Sequence, residues 1–178
     1  MSNHNDKPIS QRAMQFKTPI EAVELNTLEA NIAATVELIK QARRQICIYS
    51  RDLEHELYGH SEIVEALKQF GINSRDGCAQ IIIQDTLAVR SRPHPLLNLA
   101  QRLPSSFLFR TPVEPEDCQY PSVFLVNDRE GYIFRLLGER YEANWSPTLP
   151  ARTRQLSEIF ERMWNRSLPC TEFRMLGL

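Results

Sequence analysis

The sequence predicts a single α/β domain, built on a mixed, mostly parallel sheet flanked by helices on both faces. Three observations predict it. Segments with helical periodicity alternate with short apolar runs, the pattern of strands joined through covering helices. One of those runs, "CAQIIIQD" at 78–85, is apolar almost throughout and closes on an acid, as a strand buried on both faces does. The chain has 178 residues and no interior linker long enough to divide them, which suits one domain with a sizeable core.

Taken in order, residues 1–16 are polar and read as a disordered tail, leaving 17–178 as the domain. "FKTPIEAVEL" is a short extended lead-in. "NTLEANIAATVELIKQARR" opens with Asn26 at a cap position and Glu29 three residues later, a capping-box spacing. Leu28, Ile32, Val36 and Ile39 then recur at helical intervals, so the segment is an amphipathic helix. The β-rich "QICIYS" follows, then a loop, "RDLEHELYGH". In "SEIVEALKQFG", Ser61 is the expected cap, Ile63, Leu67 and Phe70 share a face, and Gly71 is the expected stop. After "CAQIIIQD" and the loop "DTLAVRSRPH", the helix "HPLLNLAQRLP" starts with Pro95 in its first turn and stops at Pro104. "SSFLFRTPV" is a third strand, and the proline-rich "TPVEPEDCQYP" leads to "SVFLVND". The turn "DREG" joins that strand to "YIFRLLG" in an antiparallel hairpin closed by Gly131. The last long element, "ARTRQLSEIFERMWNRS", carries Leu156, Ile159, Phe160, Met163 and Trp164 as one stripe, read most simply as packing on the sheet.

Composition bounds the function. Apolar residues make up 42% and charged residues 24%, an ordinary globular balance. The net charge of −1 gives no global reason to expect nucleic acid or an anionic membrane as partner, although it does not exclude a local basic patch. Arginine outnumbers lysine 17 to 4, a bias towards the planar fork that suits phosphate, or simply a genome-wide codon bias. The four cysteines, at 47, 78, 118 and 170, have no zinc-ribbon or redox spacing and read as reduced and structural. No stretch has signal-peptide or membrane-spanning character, so a cytoplasmic setting is expected.

The chemistry turns on "YPSVFLVND", residues 120–128. As plain strand chemistry it is a buried strand with a polar turn. Its position, after a helix ending "IKQARRQICIYS" and after "EIVEALKQFG…CAQIIIQD", supports a second reading. In element order and in these segments, residues 26–168 resemble one half of the phospholipase D superfamily fold, in a bacterial branch. That family's signature is H-x-K-x4-D, on a strand and the turn after it. Here Tyr120 stands at the histidine's place, Ser122 at the lysine's and Asn127 at the aspartate's. Shifting the frame to make Asp128 the acid restores neither histidine nor lysine.

The resemblance implies what has been lost. In the family the histidine attacks phosphorus, the lysine neutralises the non-bridging oxygens and the aspartate supports the histidine. Nucleophilic catalysis needs an activated nucleophile. A phenol ordinarily titrates near ~10, and nothing adjacent in sequence would depress Tyr120. A serine brings no positive charge, although an electrostatic clamp is often the largest catalytic contribution. The expectation is therefore a non-catalytic phospholipase D-like module that binds a partner. It would act as a homodimer, as paired halves do in the family, or as an accessory, with a GNAT-type acetyltransferase as the weak association. The alternatives are a residual phosphodiesterase rebuilt around Tyr120, Ser122, Asn127 and His94, or a weak nucleic-acid binder.

Other candidates come from position. In open α/β sheets, ligands collect beyond the carboxyl ends of the strands. Asp85, Arg92 and His94, in the loop after "CAQIII", are therefore ligand-binding candidates, with Arg135 on the return strand of the hairpin. A solvated loop with a capping role is the plainer reading of the first three. His55 and His60 lie on the same expected edge near Asp52, Glu54 and Glu56, but no metal-ligand spacing appears, so no metal and no cofactor are expected. "RYEANWSPTLPARTR" interleaves Arg140, Arg152 and Arg154 with Tyr141 and Trp145, a mix that suits single-stranded nucleic acid. Glu139 and Glu142 dilute it, and a packed Trp in a loop is the simpler account; nucleic acid is not an expected partner.

Overall fold

The structure is a computed structural model, and residues 21–173 are described. The expected tail at 1–16 lies outside them. In chain order the elements are β1 (Val23–Leu25), α1 (Leu28–Gln41), β2 (Gln45–Ser50), α2 (His55–Tyr58), α3 (Ser61–Asn73), β3 (Cys78–Ile83), α4 (Thr86–Arg90) and α5 (Pro95–Arg102). Then follow β4 (Phe107–Thr111), α6 (Pro115–Cys118), β5 (Val123–Asn127), β6 (Tyr132–Arg135), β7 (Ala143–Ser146), α7 (Pro150–Asn165) and β8 (Leu168–Pro169). The strands form one sheet in the order β1-β7-β6-β5-β2-β3-β4-β8.

The sheet is mixed, but the expectation that it is mostly parallel is wrong. β3 runs parallel to β2 and β4 to β3, whereas the other five pairings are antiparallel. The cause is connection length. A parallel pair needs a crossover of about a dozen residues or more, usually a helix, to carry the chain back to the starting edge. α3 does this between β2 and β3, and α4 with α5 between β3 and β4. After β4 no such crossover follows. The chain stays at the carboxyl edge through the short α6, so β5 must run the other way when it pairs with β2, Ile48 opposite Leu125. Tight links then make β6 and β7 antiparallel as well. β5 thus lies at the centre of the sheet.

Side-chain alternation assigns the two faces. Ile46, Ile48, Ile81, Ile83 and Leu125 pack with Leu38, Ile39, Leu67 and Leu96 of α1, α3 and α5. Cys47, Tyr49, Ile82, Phe124 and Val126 pack on the other face with Leu156, Phe160 and Met163 of α7. The stripe on the last helix is therefore covered by its own sheet. Leu156 and Phe160 are essentially inaccessible, and each such burial contributes ~1.5–3 kcal/mol. The edge strands β1 and β8 have three and two residues, short enough to discourage edge pairing.

Several boundaries differ from the sequence expectation. Thr27, not Asn26, caps α1, its side chain accepting from Ala30 N at 3.2 Å. His60, not Ser61, caps α3, and that helix runs past Gly71 to Asn73 because Phe70 and the packed turn around it hold the helical geometry. Gly131 has an ordinary φ, and Glu130 takes the left-handed one at 66°. Glycine is needed at 131 for room: a Cβ there would lie 2.5 Å from Leu38 Cδ2.

Candidate functional site

Two larger clefts and a small one of about 120 Å³, between Asp52, His55, Arg92 and His94, open at the carboxyl edge of β2 and β3. The first, of about 310 Å³, lies at the entry to β5 and is lined by Arg51, Gln84, Tyr120, Leu137 and Glu139 among others. Tyr120 is half-buried, its ring edge-on to Tyr49 at 5.5 Å between centroids. Gln84, just after β3, holds the wall together: its Nε2 donates to the Tyr49 hydroxyl at 2.6 Å and to the Tyr120 carbonyl at 2.7 Å. The Tyr49 hydroxyl donates in turn to the Asp117 carbonyl at 2.5 Å, and burial pushes that phenol well above its ordinary value. Asp117 is buried, and its carboxylate accepts both Nε and Nη2 of Arg166 at 2.7 Å, which clamps α6 to the end of α7.

This cleft carries no surplus positive charge. Arg51 faces Glu139 at 4.0 Å, both side chains largely in solvent. Ser122 lies buried beside the cleft rather than in it, and its hydroxyl donates to the Leu136 carbonyl at 2.9 Å across the hairpin. Asn127 sits at the far end of β5, roughly 20 Å away at the rise of an extended strand. Its Nδ2 donates to the Leu38 carbonyl at 2.8 Å and to Gln41 Oε1 at 3.0 Å. Its Oδ1 accepts the amides of Arg129 at 3.0 Å and Gly131 at 2.9 Å. Asn127 therefore ties the β5–β6 turn to the end of α1.

The second cleft, of about 520 Å³, is lined by Arg90, Arg92, His94, Leu97, Gln101 and Phe173 among others. His94 is 3% exposed and caps α5: Nδ1 accepts from Leu96 N at 3.2 Å, and Nε2 lies 2.8 Å from the Leu53 carbonyl. A backbone carbonyl can only accept, so Nε2 carries the proton. Burial holds the imidazole below its ordinary value, although the bond to Leu53 acts the other way. Asp85 caps α4, Oδ1 accepting from Ala88 N at 2.9 Å, and does not line this cleft. Arg135, on β6, is buried in an ion pair with Glu54 and also donates to the Arg140 carbonyl at 3.2 Å. Burial pushes the Glu54 carboxyl up while the Arg135 guanidinium pulls it back.

Of the residues singled out from sequence, then, Arg92 and His94 share a cleft, Tyr120 lines another, and Ser122, Asn127, Asp85 and Arg135 line neither. Among the described residues no three His, Cys, Asp or Glu side chains group as a metal set. Trp145 lies on β7 rather than in a loop, half-buried against the core, and Arg152 stacks over Phe134 at 4.6 Å. Sequence reasoning missed Arg51, Gln84 and Glu139. The first two directly follow strand ends, a position that marks ligand edges in α/β sheets. Glu139 had no such signal.

A family model described as a domain of unknown function, DUF7931, matches residues 27–176. The chain belongs to that family. No curated protein matches the DUF7931 chain in sequence. Among solved structures it is similar to NucT from Helicobacter pylori, at 12% identity and a TM-score of 0.61, over 84% of this chain and 98% of that one. It is similar to Nuc, a phospholipase D family member from Salmonella typhimurium, at 15% identity and 0.52, over 77% and 88%. The archaeal chromatin protein TrmBL2, whose structure is described as showing a novel mode of DNA binding, matches at 15% identity and 0.56. That match covers 86% of this chain, which spans only 56% of TrmBL2. The DUF7931 fold is thus phospholipase D-like, with β5 central and a cleft at its entry.

Proposed function

We propose that this chain is a phospholipase D-like domain without phosphodiester chemistry, working in the cytoplasm as a binding or accessory module, singly or as a homodimer. Ser122 carries the reading. At the place where the family's lysine would neutralise phosphate oxygens stands a buried hydroxyl already donated to the Leu136 carbonyl. Three further features support it. Tyr120 is wedged edge-on against Tyr49. The cation in its cleft faces Glu139. Asn127 is occupied at the opposite end of the strand. A nucleophile without a base and without a charge clamp has no route to a phosphoryl intermediate.

Hydrolysis of bis(4-nitrophenyl) phosphate tests it, with wild type, Tyr120→Phe and Arg51→Gln measured side by side. The expected rates match buffer in all three. Turnover by the wild type that disappears in Tyr120→Phe would establish a rebuilt enzyme and overturn the proposal. Light scattering distinguishes a single copy from a pair.

A further inference from the structure

At the edge opposite the Tyr120 cleft, the amino ends of β2 and β3 and the β5–β6 turn enclose a wide concavity of about 750 Å³. Three separate chain segments line it with Lys40, Arg43, Arg44, Arg75 and Arg129, and with a single acid, Asp76. All five cationic side chains are exposed. Among the described residues none of them takes part in a side-chain hydrogen bond or an ion pair. The frame beneath them is fixed. The Asp128 carboxylate accepts the backbone amides of Arg43 and Arg44, each at 2.9 Å, and Asn127 ties the same turn to α1.

We propose that this basic concavity is a docking surface for the phosphate backbone of a nucleic-acid duplex. Charge decides first. The ends of α1 and α3 bring about half a negative charge each to this edge, and Asp76 and Asp128 bring one each. Five cations outweigh these three negative equivalents, leaving a surplus near +2 in a chain whose net charge is −1. Helix-end compensation therefore accounts for part of the cluster and not the whole. Chemistry decides next. Four of the five are arginines, whose planar forks engage phosphate with paired hydrogen bonds. No aromatic ring lines the groove, so it offers no stacking platform for unpaired bases. That favours the denser charge of a duplex and contacts that read no sequence. The surface names a partner class for the binding module and lies on the other edge from the Tyr120 cleft, so it stands whether or not phosphodiesters are cleaved there. Binding reads one edge and hydrolysis the other.

The test is fluorescence anisotropy with a labelled duplex of about 25 base pairs and arbitrary sequence, titrated with full chain between 50 and 200 mM salt. Four or five phosphate contacts give a log–log slope near −4, a fall in affinity of a few hundred-fold over that range. Arg43→Gln/Arg44→Gln/Arg75→Gln/Arg129→Gln should lose most of the binding and nearly all of the slope. The exposed pair Arg154→Gln/Arg162→Gln on α7 should change little. If the quadruple variant loses its circular dichroism signature, Arg43→Gln and Arg129→Gln singly should each lower the slope by about 1. No saturable binding at 50 mM salt would overturn the proposal, as would variants that bind like wild type. Preference for phosphatidylserine vesicles over the duplex would overturn it in favour of a membrane surface.

Discussion

Replacing Arg135 by methionine removes the guanidinium that faces Glu54 inside the fold, at side-chain exposures of 4% and 16%. Methionine keeps most of the volume, so the loss is chiefly electrostatic. Glu54 is then left with the Ser50 hydroxyl, 3.1 Å away, and a desolvated site. Its carboxyl, already held above its ordinary value by burial, loses the influence that pulled it back and rises further. The sign follows from linkage. A carboxyl whose folded pKa exceeds its unfolded value makes the folded state the better proton binder, so stability is complete below the unfolded value and falls as pH rises through the window up to the folded one. Taking ~4.3 for the unfolded carboxyl and 1.36 kcal/mol per unit, keeping Glu54 protonated costs at most ~1 kcal/mol at pH 5 and ~3.7 kcal/mol at pH 7. The second figure agrees with the ~3–5 kcal/mol typical of breaking a buried pair from one side. Urea unfolding followed by the fluorescence of Trp145 and Trp164 should therefore show a deficit that widens by up to ~1.4 kcal/mol per pH unit between pH 5 and 7. Other titrating groups cancel in the difference between the two proteins. Arg135→Met/Glu54→Leu should return to within ~1 kcal/mol of wild type at pH 7. A deficit that is flat with pH, or smaller than ~1 kcal/mol at pH 7, would refute the reasoning.

Three further outcomes are expected. Asn127→Asp should destabilise by ~1–3 kcal/mol in urea unfolding, because a carboxylate cannot donate to the Leu38 carbonyl; the loss should shrink at low pH, where the acid regains a proton. His94 is held neutral by burial, so its contribution is present above the unfolded value of ~6.5 and is lost as pH falls through its folded value; His94→Asn, which retains a capping side chain, should flatten that acid limb of the stability curve. Cys118 is exposed, whereas Cys47 and Cys170 are buried with thiols pushed up to about 12. Ellman's reagent should therefore label Cys118 quickly in the native protein and reach the other two only on unfolding.

The fold was legible where one residue pattern answers to one physical cause. The stripe Leu156–Phe160–Met163 and the run Ile81–Ile83 report their own burial, so α7 and β3 were read correctly. Strand direction was not legible, because it depends on which edge the chain occupies when it pairs. Nothing in "TPVEPEDCQYP" says that the chain skips β3 and meets β2. β7 was missed because "ANWS" is short and lacks a run of β-branched residues; its place is dictated by pairing with β6 and β1. Of the candidate site, only the residue types at 120 and 122 were legible, a phenol and a hydroxyl that bring neither an imidazole nor an ammonium. The engagement of His94 and Arg135 was not. Each is satisfied by a partner distant in sequence, Leu53 and Glu54 respectively.

The two ends of β5 differ in what a phosphate would have to displace. At the Tyr120 end the nearby cations are matched: Arg51 faces Glu139, Arg135 is buried against Glu54, and Arg166 is forked onto Asp117. Recruiting Arg51 would cost little, since an exposed pair is worth ~0–1 kcal/mol, but a single exposed arginine clamps little. Recruiting Arg135 would mean opening a buried pair at ~3–5 kcal/mol, more than one added phosphate contact returns. At the Asn127 end, Arg43, Arg44 and Arg129 have no carboxylate of the described residues on their side chains, and Asp128 is occupied with backbone amides. An anion arriving there breaks no ion pair among the described residues. Asn127 itself uses its amide to brace the turn that presents Arg129. The side-chain amide at position 127 thus supports the edge where, among the described residues, positive charge without an ion-pair partner collects.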